Sequence, residues 1–424
     1  VSGCFKQGDQ QSIGGSDRFC RHRIAWCKIG DAPFAQLRDQ RFSQFAHAVY
    51  DAAHDCNFRV LVEPYMLNIA RARLANQGIA CPAFVQPDEV ASWLIALQAQ
   101  DYSGALWSIG LRMAGATEAA VEQALAARTI VRTWPLRGTL HIVAAQDVRW
   151  LLALLTPRVI AQSAGRYRQL ELDETTFARS KAVFAKALQG GKQLTRDELQ
   201  QLLEQANIAT TGQRGYHLLV RSAQDGLICF GSRRGKQQTF ALLDEWTPPA
   251  PILARGEALA ELARRYFTSH GPATLSDLVR WAGLTVADAK TGVELGGAHL
   301  CQETIAGQNY WFASAAPVQR ESTPSLYLLP GFDEYLLGYA DRSAVLDALD
   351  AAKVHPSANG VFQPTIAIDG RIAGTWKRSL KKSTVTIEVA PFRPLTDAEY
   401  ASYSIAARRY GEFLELQVAL STPQ

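Results

Sequence analysis

Long apolar runs are missing from this chain of 424 residues. No stretch of about 18 uncharged apolar residues occurs, and no basic segment followed by an apolar run and a cleavage site opens the N-terminus, so no membrane partner is expected. A soluble, cytoplasmic protein is the expectation. An excess of one charge is missing too: 44 Lys and Arg stand against 40 Asp and Glu, a formal net charge of +4. Any nucleic-acid surface must therefore come from local clustering of cations. The seven cysteines include no Cys-x-x-Cys pair and have no His at ligand spacing, which implies reduced thiols and neither a metal nor a cofactor. The irregular set Cys4, Cys20, His22 and Cys27 comes nearest to a zinc site, and its spacing does not fit one. Methionine is scarce: the chain begins at Val1 and its first Met is Met66. Residues 1–65 mix Gly, Gln, Asp and Ser without sustained periodicity, so they are expected to be an extension, poorly ordered or preceding a misassigned start.

What is present is 47% hydrophobic and 20% charged, a globular balance at a length that calls for on the order of two to four domains. From Met66 onward a pattern of helices, a turn and a β-hairpin recurs, which is the element order of a winged helix. It occupies residues 66–145, 146–247 and 252–316. Residues 325–424 read as a β-rich domain, expected as a small barrel. The fold class is α+β, three tandem winged-helix motifs and then the β-rich domain.

In the first copy helices are expected at 67–76, 87–97, 106–113 and 118–126, and a hairpin at 130–143 that turns at Arg137-Gly138. In the second, Thr195 and Glu198 form a capping box opening a helix to Gln205, and a helix over 215–225 stops at Gly226. Strands at 227–230 and 239–243 then flank a basic tip. The third copy has helices at 253–269, 274–282 and 286–295 and a hairpin at 299–313. In the last region strands are expected at 326–329, 365–368, 371–376 and 385–389, then a helix at 397–410 and a strand at 413–420.

Four strings carry more information than these patterns: Leu97-Gln98-Ala99-Gln100-Asp101, Val131-Arg132-Thr133-Trp134-Pro135-Leu136-Arg137-Gly138-Thr139-Leu140-His141, Leu329-Pro330-Gly331-Phe332-Asp333 and Ile372-Ala373-Gly374-Thr375-Trp376-Lys377-Arg378. Together they resemble the winged-helix DNA glycosylases typified by AlkZ and the related YcaQ, over about Met66 to Leu420. The resemblance implies tandem winged helices with a C-terminal β-domain. The family divides into a Gln-x-Gln and a Gln-x-Asp branch, and Gln98-Ala99-Gln100 resembles the first. It implies Gln98 and Gln100 as the catalytic pair, with Asp101 near the site because a shift of one residue would bring a carboxylate to the chemistry.

Breaking an N-glycosidic bond builds positive charge on the sugar. A purine alkylated at N7 is already cationic and leaves readily, so two neutral amides that hold a water and contact the sugar can suffice. Residues two apart point the same way on an extended chain and about 200° apart on a helix. The pair can therefore act jointly only at a helix end or in the following loop, and Ser103-Gly104 offers such a break.

On an extended strand Arg137, Thr139 and His141 share a face, a polar surface suited to DNA, with Arg137 on a phosphate, Thr139 near the site and able to meet a phosphate likewise, and His141 bordering the pocket. Arg132 is a further DNA-binding candidate. The tip Arg233, Arg234 and Lys236 and the cluster Lys377, Arg378, Lys381 and Lys382 put cations on turns as candidate phosphate clamps, the second in a hairpin that can probe a groove. Asp333, Glu334, Asp341 and Arg342 read as a structural group orienting basic side chains. The function expected is a metal-independent, monomeric glycosylase acting on N7-alkylated purines in double-stranded DNA, with interstrand crosslinks as further substrates and nucleoid association through DNA. The alternative is a non-enzymatic winged-helix transcriptional regulator; a metal-dependent nuclease ranks third, for want of a compact ligand set.

Overall fold

The computed structural model describes residues 67–250, 252–313, 325–356 and 360–420. The extension over residues 1–65 and the Cys4, Cys20, His22 and Cys27 set lie outside them. Among the described residues no helix is long and apolar enough to cross a membrane, and Cys81, Cys229 and Cys301 are free thiols.

The first segment runs α1 (Ile69–Asn76), α2 (Pro87–Leu94), β1 (Leu97–Gln98), α3 (Tyr102–Gly110), α4 (Glu118–Ala126), β2 (Ile130–Leu136) and β3 (Thr139–Ala144). Pro87 opens α2 at a position where its missing N–H costs nothing, and Glu89 accepts from the backbone of Val85 and Gln86. The helix expected over 87–97 stops at Leu94, and the two-residue β1 takes up the rest of that stretch. β1 pairs antiparallel with β3, and β3 with β2, in the order β1-β3-β2.

The second segment comprises α5 (Val148–Gln169), α6 (Glu174–Leu188), β4 (Leu194–Thr195), α7 (Arg196–Gln205), α8 (Arg214–Gln224), β5 (Ile228–Phe230) and β6 (Thr239–Leu242), its strands ordered β4-β6-β5. The capping box is present: Thr195 N–H donates to Glu198 Oε2 at 2.6 Å and Glu198 N–H to Thr195 Oγ1 at 3.3 Å. The third comprises the single turn α9 (Leu243–Trp246), then α10 (Arg255–His270), α11 (Leu275–Ala282), α12 (Val286–Gly296) and the hairpin of β7 (Leu300–Ile305) and β8 (Gln308–Ala313).

The last region comprises β9 (Leu326–Leu329), the short α13 (Glu334–Leu337) and α14 (Ala351–Val354), β10 (Thr365–Ile368), β11 (Arg371–Leu380), β12 (Thr384–Pro391), α15 (Asp397–Leu414) and β13 (Gln417–Leu420). The small barrel expected here is an open half-barrel instead, in the order β13-β12-β11-β10-β9 with β13 and β9 as its edges. α15 packs on this sheet, with Tyr403, Tyr410 and Phe413 sharing one core with Leu328, Trp376 and Ile387.

The described residues form three cores, the first two of which draw on distant parts of the chain. The first joins α1–α4 to the C-terminal sheet, with Trp107 against Tyr410 and Phe413 at ring distances of 4.9 and 5.0 Å and its Nε1–H on the Leu328 carbonyl. The second gathers α5, α10 and α11, and the third belongs to the second segment. The β1-β3-β2 sheet lies between the first two cores. Alternation sends Leu97 and Ile142 to the first core and Val131 and Val143 to the second, so Gln98 and its register partner His141 share the face of Val131 and Val143.

Candidate active site around Gln98 and Gln100

The chain enters the Gln-Ala-Gln stretch through a strained turn. Ile95 has φ 70° and ψ −49°, and Ala96 N–H donates to the Leu94 carbonyl at 2.8 Å. A β-branched residue at the centre of such a γ-turn costs on the order of 1–3 kcal/mol. Burial of the Ile95 side chain in the second core offsets it. The chain then runs extended, so side chains two apart project alike.

Gln98 Nε2 donates to Gln100 Oε1 at 2.7 Å. Gln98 is only 8% exposed and lies beneath the exposed Gln100. The contact uses one donor of Gln98 and the oxygen of Gln100, which leaves Gln98 Oε1 as an acceptor and Gln100 Nε2 as a donor. The helical break falls here rather than at Ser103-Gly104: Asp101 is the N-cap of α3 and its carboxylate lies over Gly104, where any Cβ would collide with it.

The motif's middle residue is clamped from the other face. Arg132 donates from Nε and Nη2 to the Ala99 carbonyl at 3.1 and 2.7 Å, and its guanidinium lies over the Phe230 and Tyr102 rings at 4.7 and 5.5 Å. Burial pulls its pKa down to about 10, so it stays charged at neutral pH.

His141 on β3 is the register partner of Gln98 on β1. The Gln98 N–H points to the sheet's open edge, so the two form a non-hydrogen-bonded pair with side chains close together. The fully buried imidazole donates from Nδ1 to the Thr139 carbonyl at 2.9 Å, which leaves Nε2 as a bare acceptor with no partner. Burial, reinforced by the nearby Arg137 charge, lowers its pKa to about 4, so it is neutral. Thr133, opposite His141 on β2, also has an unpartnered buried hydroxyl.

Glu334, distant in sequence, completes the cluster. Its Oε1 accepts the Gln98 N–H at 3.2 Å, its Oε2 accepts Trp281 Nε1–H at 2.8 Å, and His270 Nε2 lies 3.6 Å from Oε2. Burial pushes this carboxyl upward, but the neighbouring His270 first and Trp281 outweigh it and hold its pKa below the usual value. N–H groups directed at both oxygens favour the ionised form, which accepts fully at each. The preceding Asp333 is bound by Arg112 at 2.8 and 2.9 Å, the structural pairing of acid and base expected of this group. Glu334 was not expected at the site; its signal was a pair of carboxylates embedded in the apolar, Tyr-rich string Phe332-Asp333-Glu334-Tyr335-Leu336-Leu337-Gly338-Tyr339.

The remaining candidates divide by environment. Arg137 and Gly138, with φ of 51° and 75°, form the two-residue turn between β2 and β3. Arg137 Nη1 donates to the Trp281 carbonyl, and Thr139 Oγ1 to the Leu136 carbonyl at 3.1 Å. Arg132 and Arg137 thus both serve the protein's own backbone. Arg233, Arg234 and Lys236 are exposed between β5 and β6, the first two paired with Glu122 and Glu198 at 3.2 and 2.9 Å. Lys377 and Arg378 lie on β11, where Lys377 pairs with Glu388 at 2.8 Å, while Lys381 and Lys382 stand exposed at the tip joining β11 to β12.

A family model described as "DNA glycosylase AlkZ-like" matches residues 91–413. The chain belongs to the AlkZ-like DNA glycosylase family. One relative in this family, the interstrand DNA cross-link repair glycosylase of Streptomyces sahachiroi, is 28% identical over 313 residues, covering 68% of this chain and 81% of that protein. The solved structure of the Streptomyces sahachiroi DNA glycosylase AlkZ superposes with a TM-score of 0.69 at 22% identity, covering 84% of this chain and 98% of that one, a likeness of fold. Membership in a glycosylase family does not favour the regulator alternative.

Proposed function

We propose that this protein, as a monomer, hydrolyses the N-glycosidic bond of N7-alkylated purines in double-stranded DNA without a metal or cofactor, and that it belongs to the Gln-x-Gln branch of its family. Its helix-and-hairpin segments act as three tandem winged helices that grip the duplex. The observation that carries the reading is the amide pair of Gln98 and Gln100, joined at 2.7 Å at the exposed end of a buried strand. Interstrand crosslinks are proposed as substrates because the Streptomyces relative is named for their repair.

The chemistry asks little of acid catalysis. As the C1′–N9 bond breaks, its electron pair neutralises the cationic base, and a water oxygen bonds to C1′ and releases its proton to solvent. Gln98 Oε1 and Gln100 Nε2 hold that water and contact the sugar. Fixed amides need no reorganisation as charge develops, which is the source of their contribution. The basic turns carrying Arg233, Arg234, Lys236, Lys381 and Lys382 hold phosphates.

The test is base release from duplexes containing N7-methylguanine or an N7-linked interstrand crosslink. Gln98→Ala combined with Gln100→Ala should abolish release while the duplex is still bound. Undiminished release by the double variant would refute the assignment.

A further inference from the structure

Two adjacent buried carboxylates are treated in opposite ways. Asp333 receives both arms of the Arg112 guanidinium. Glu334, 1% exposed, has no guanidinium or ammonium within ion-pair distance among the described residues; its nearest ionisable contact is His270 at 3.6 Å. At 3.6 Å its Nε2 makes no hydrogen bond, and burial lowers the His270 pKa, which works against the charged ring that would compensate Glu334. Arg137 also faces Glu334, and its Nη1 is committed to the Trp281 carbonyl. An ionised carboxylate so buried and so little compensated is costly to hold, and a hydrophobic side chain in its place would normally be favoured.

Its position gives the charge a use. Glu334 lies at the open edge of β1 and binds the backbone N–H of Gln98 itself. We propose that Glu334 is a positioning residue that sets Gln98 and lends its negative charge, through the Gln98 peptide, to the cationic sugar formed as the base departs. The amides of Gln98 and Gln100 are neutral, so the charge that stabilises the sugar comes from one layer behind them. The low dielectric of the surrounding core, formed by Trp281, Tyr266 and Tyr339, lets that charge act at a distance. This inference rests on the glycosylase reading.

The experiment separates charge from scaffolding. Duplexes carrying a cationic pyrrolidine in place of the abasic sugar, or its neutral tetrahydrofuran counterpart, report whether the site favours positive charge. The wild type should bind the pyrrolidine duplex on the order of tenfold or more tightly than the neutral one. Glu334→Gln should bring that ratio to near one and lower single-turnover base release on the order of tenfold or more, with the affinity for undamaged duplex unchanged. Trp281→Phe removes the other hydrogen bond to Glu334 and keeps the charge, so it should retain the preference. If Glu334→Gln proves unfolded by circular dichroism, the wild type and Trp281→Phe decide the matter: both must favour the cationic analogue. A wild type without that preference, or a folded Glu334→Gln with the full preference, overturns the proposal. A wild type that releases no base from alkylated duplexes overturns the glycosylase reading instead.

Discussion

Replacing Arg112 by Met should destabilise the protein more than any surface change, because it strands a buried charge. Arg112 is fully buried and bonds Asp333 at 2.8 and 2.9 Å, the Gln77 carbonyl at 2.9 Å and the Ser108 carbonyl at 2.8 Å. Removing one partner of such a pair costs about 3–5 kcal/mol. At about 2 °C per kcal/mol for a chain of this size, the melting temperature should fall by roughly 6–10 °C in differential scanning calorimetry. Asp333→Leu alone strands the guanidinium and should cost a similar amount. The double variant removes both charges and should be far less destabilised than the sum of the two. The sign with pH also follows: Arg112 holds the Asp333 carboxyl below its ordinary value against the upward pull of burial. Its contribution is therefore full above the unfolded carboxyl value of about 3.9 and is lost as the pH falls through the folded one. The gap between wild type and Arg112→Met should narrow in acid. A loss under about 1 kcal/mol, or additive single variants, would refute the assignment of a compensated ion pair.

Arg132→Lys keeps a charge but loses the two-pronged hold on the Ala99 carbonyl, so base release should drop on the order of tenfold, with duplex affinity within about twofold in a gel-shift titration. Replacing Lys381 and Lys382 by Ser should reduce the slope of log affinity against log salt by about 1.8, the share of two phosphate contacts; an unchanged slope would remove that tip from the interface. His141, with a folded pKa of about 4, should give base release without a step between pH 6 and 8. Because the unfolded imidazole has a pKa of about 6.5, the unfolded state binds more protons between those values. Stability should then decline as the pH falls from about 6.5 toward 4, read as a falling urea midpoint.

Much of the local structure was legible in the sequence. The capping box of Thr195 and Glu198, the hairpin turn at Arg137-Gly138 and the helices ending at Asn76 and Ala126 follow from side-chain chemistry acting over three or four residues. Four short strings marked the family, and Gln98-Ala99-Gln100 marked the candidate site. What adjacent residues could not show was which distant groups would meet them. The helix expected through Leu97 ends at Leu94 because the second core holds Ile95 in a turn its own propensity disfavours. The expected barrel stays open as a five-stranded half-barrel, with α15 packed on it. Arg132 and Arg137 offered the same cationic chemistry as Arg233 or Lys381, and only packing turned them inward onto the carbonyls of Ala99 and Trp281. Glu334 reaches Gln98 across 236 positions of chain. A charge's effect depends on the dielectric around it and on what neutralises it, and for Glu334 both are properties of the folded interior alone.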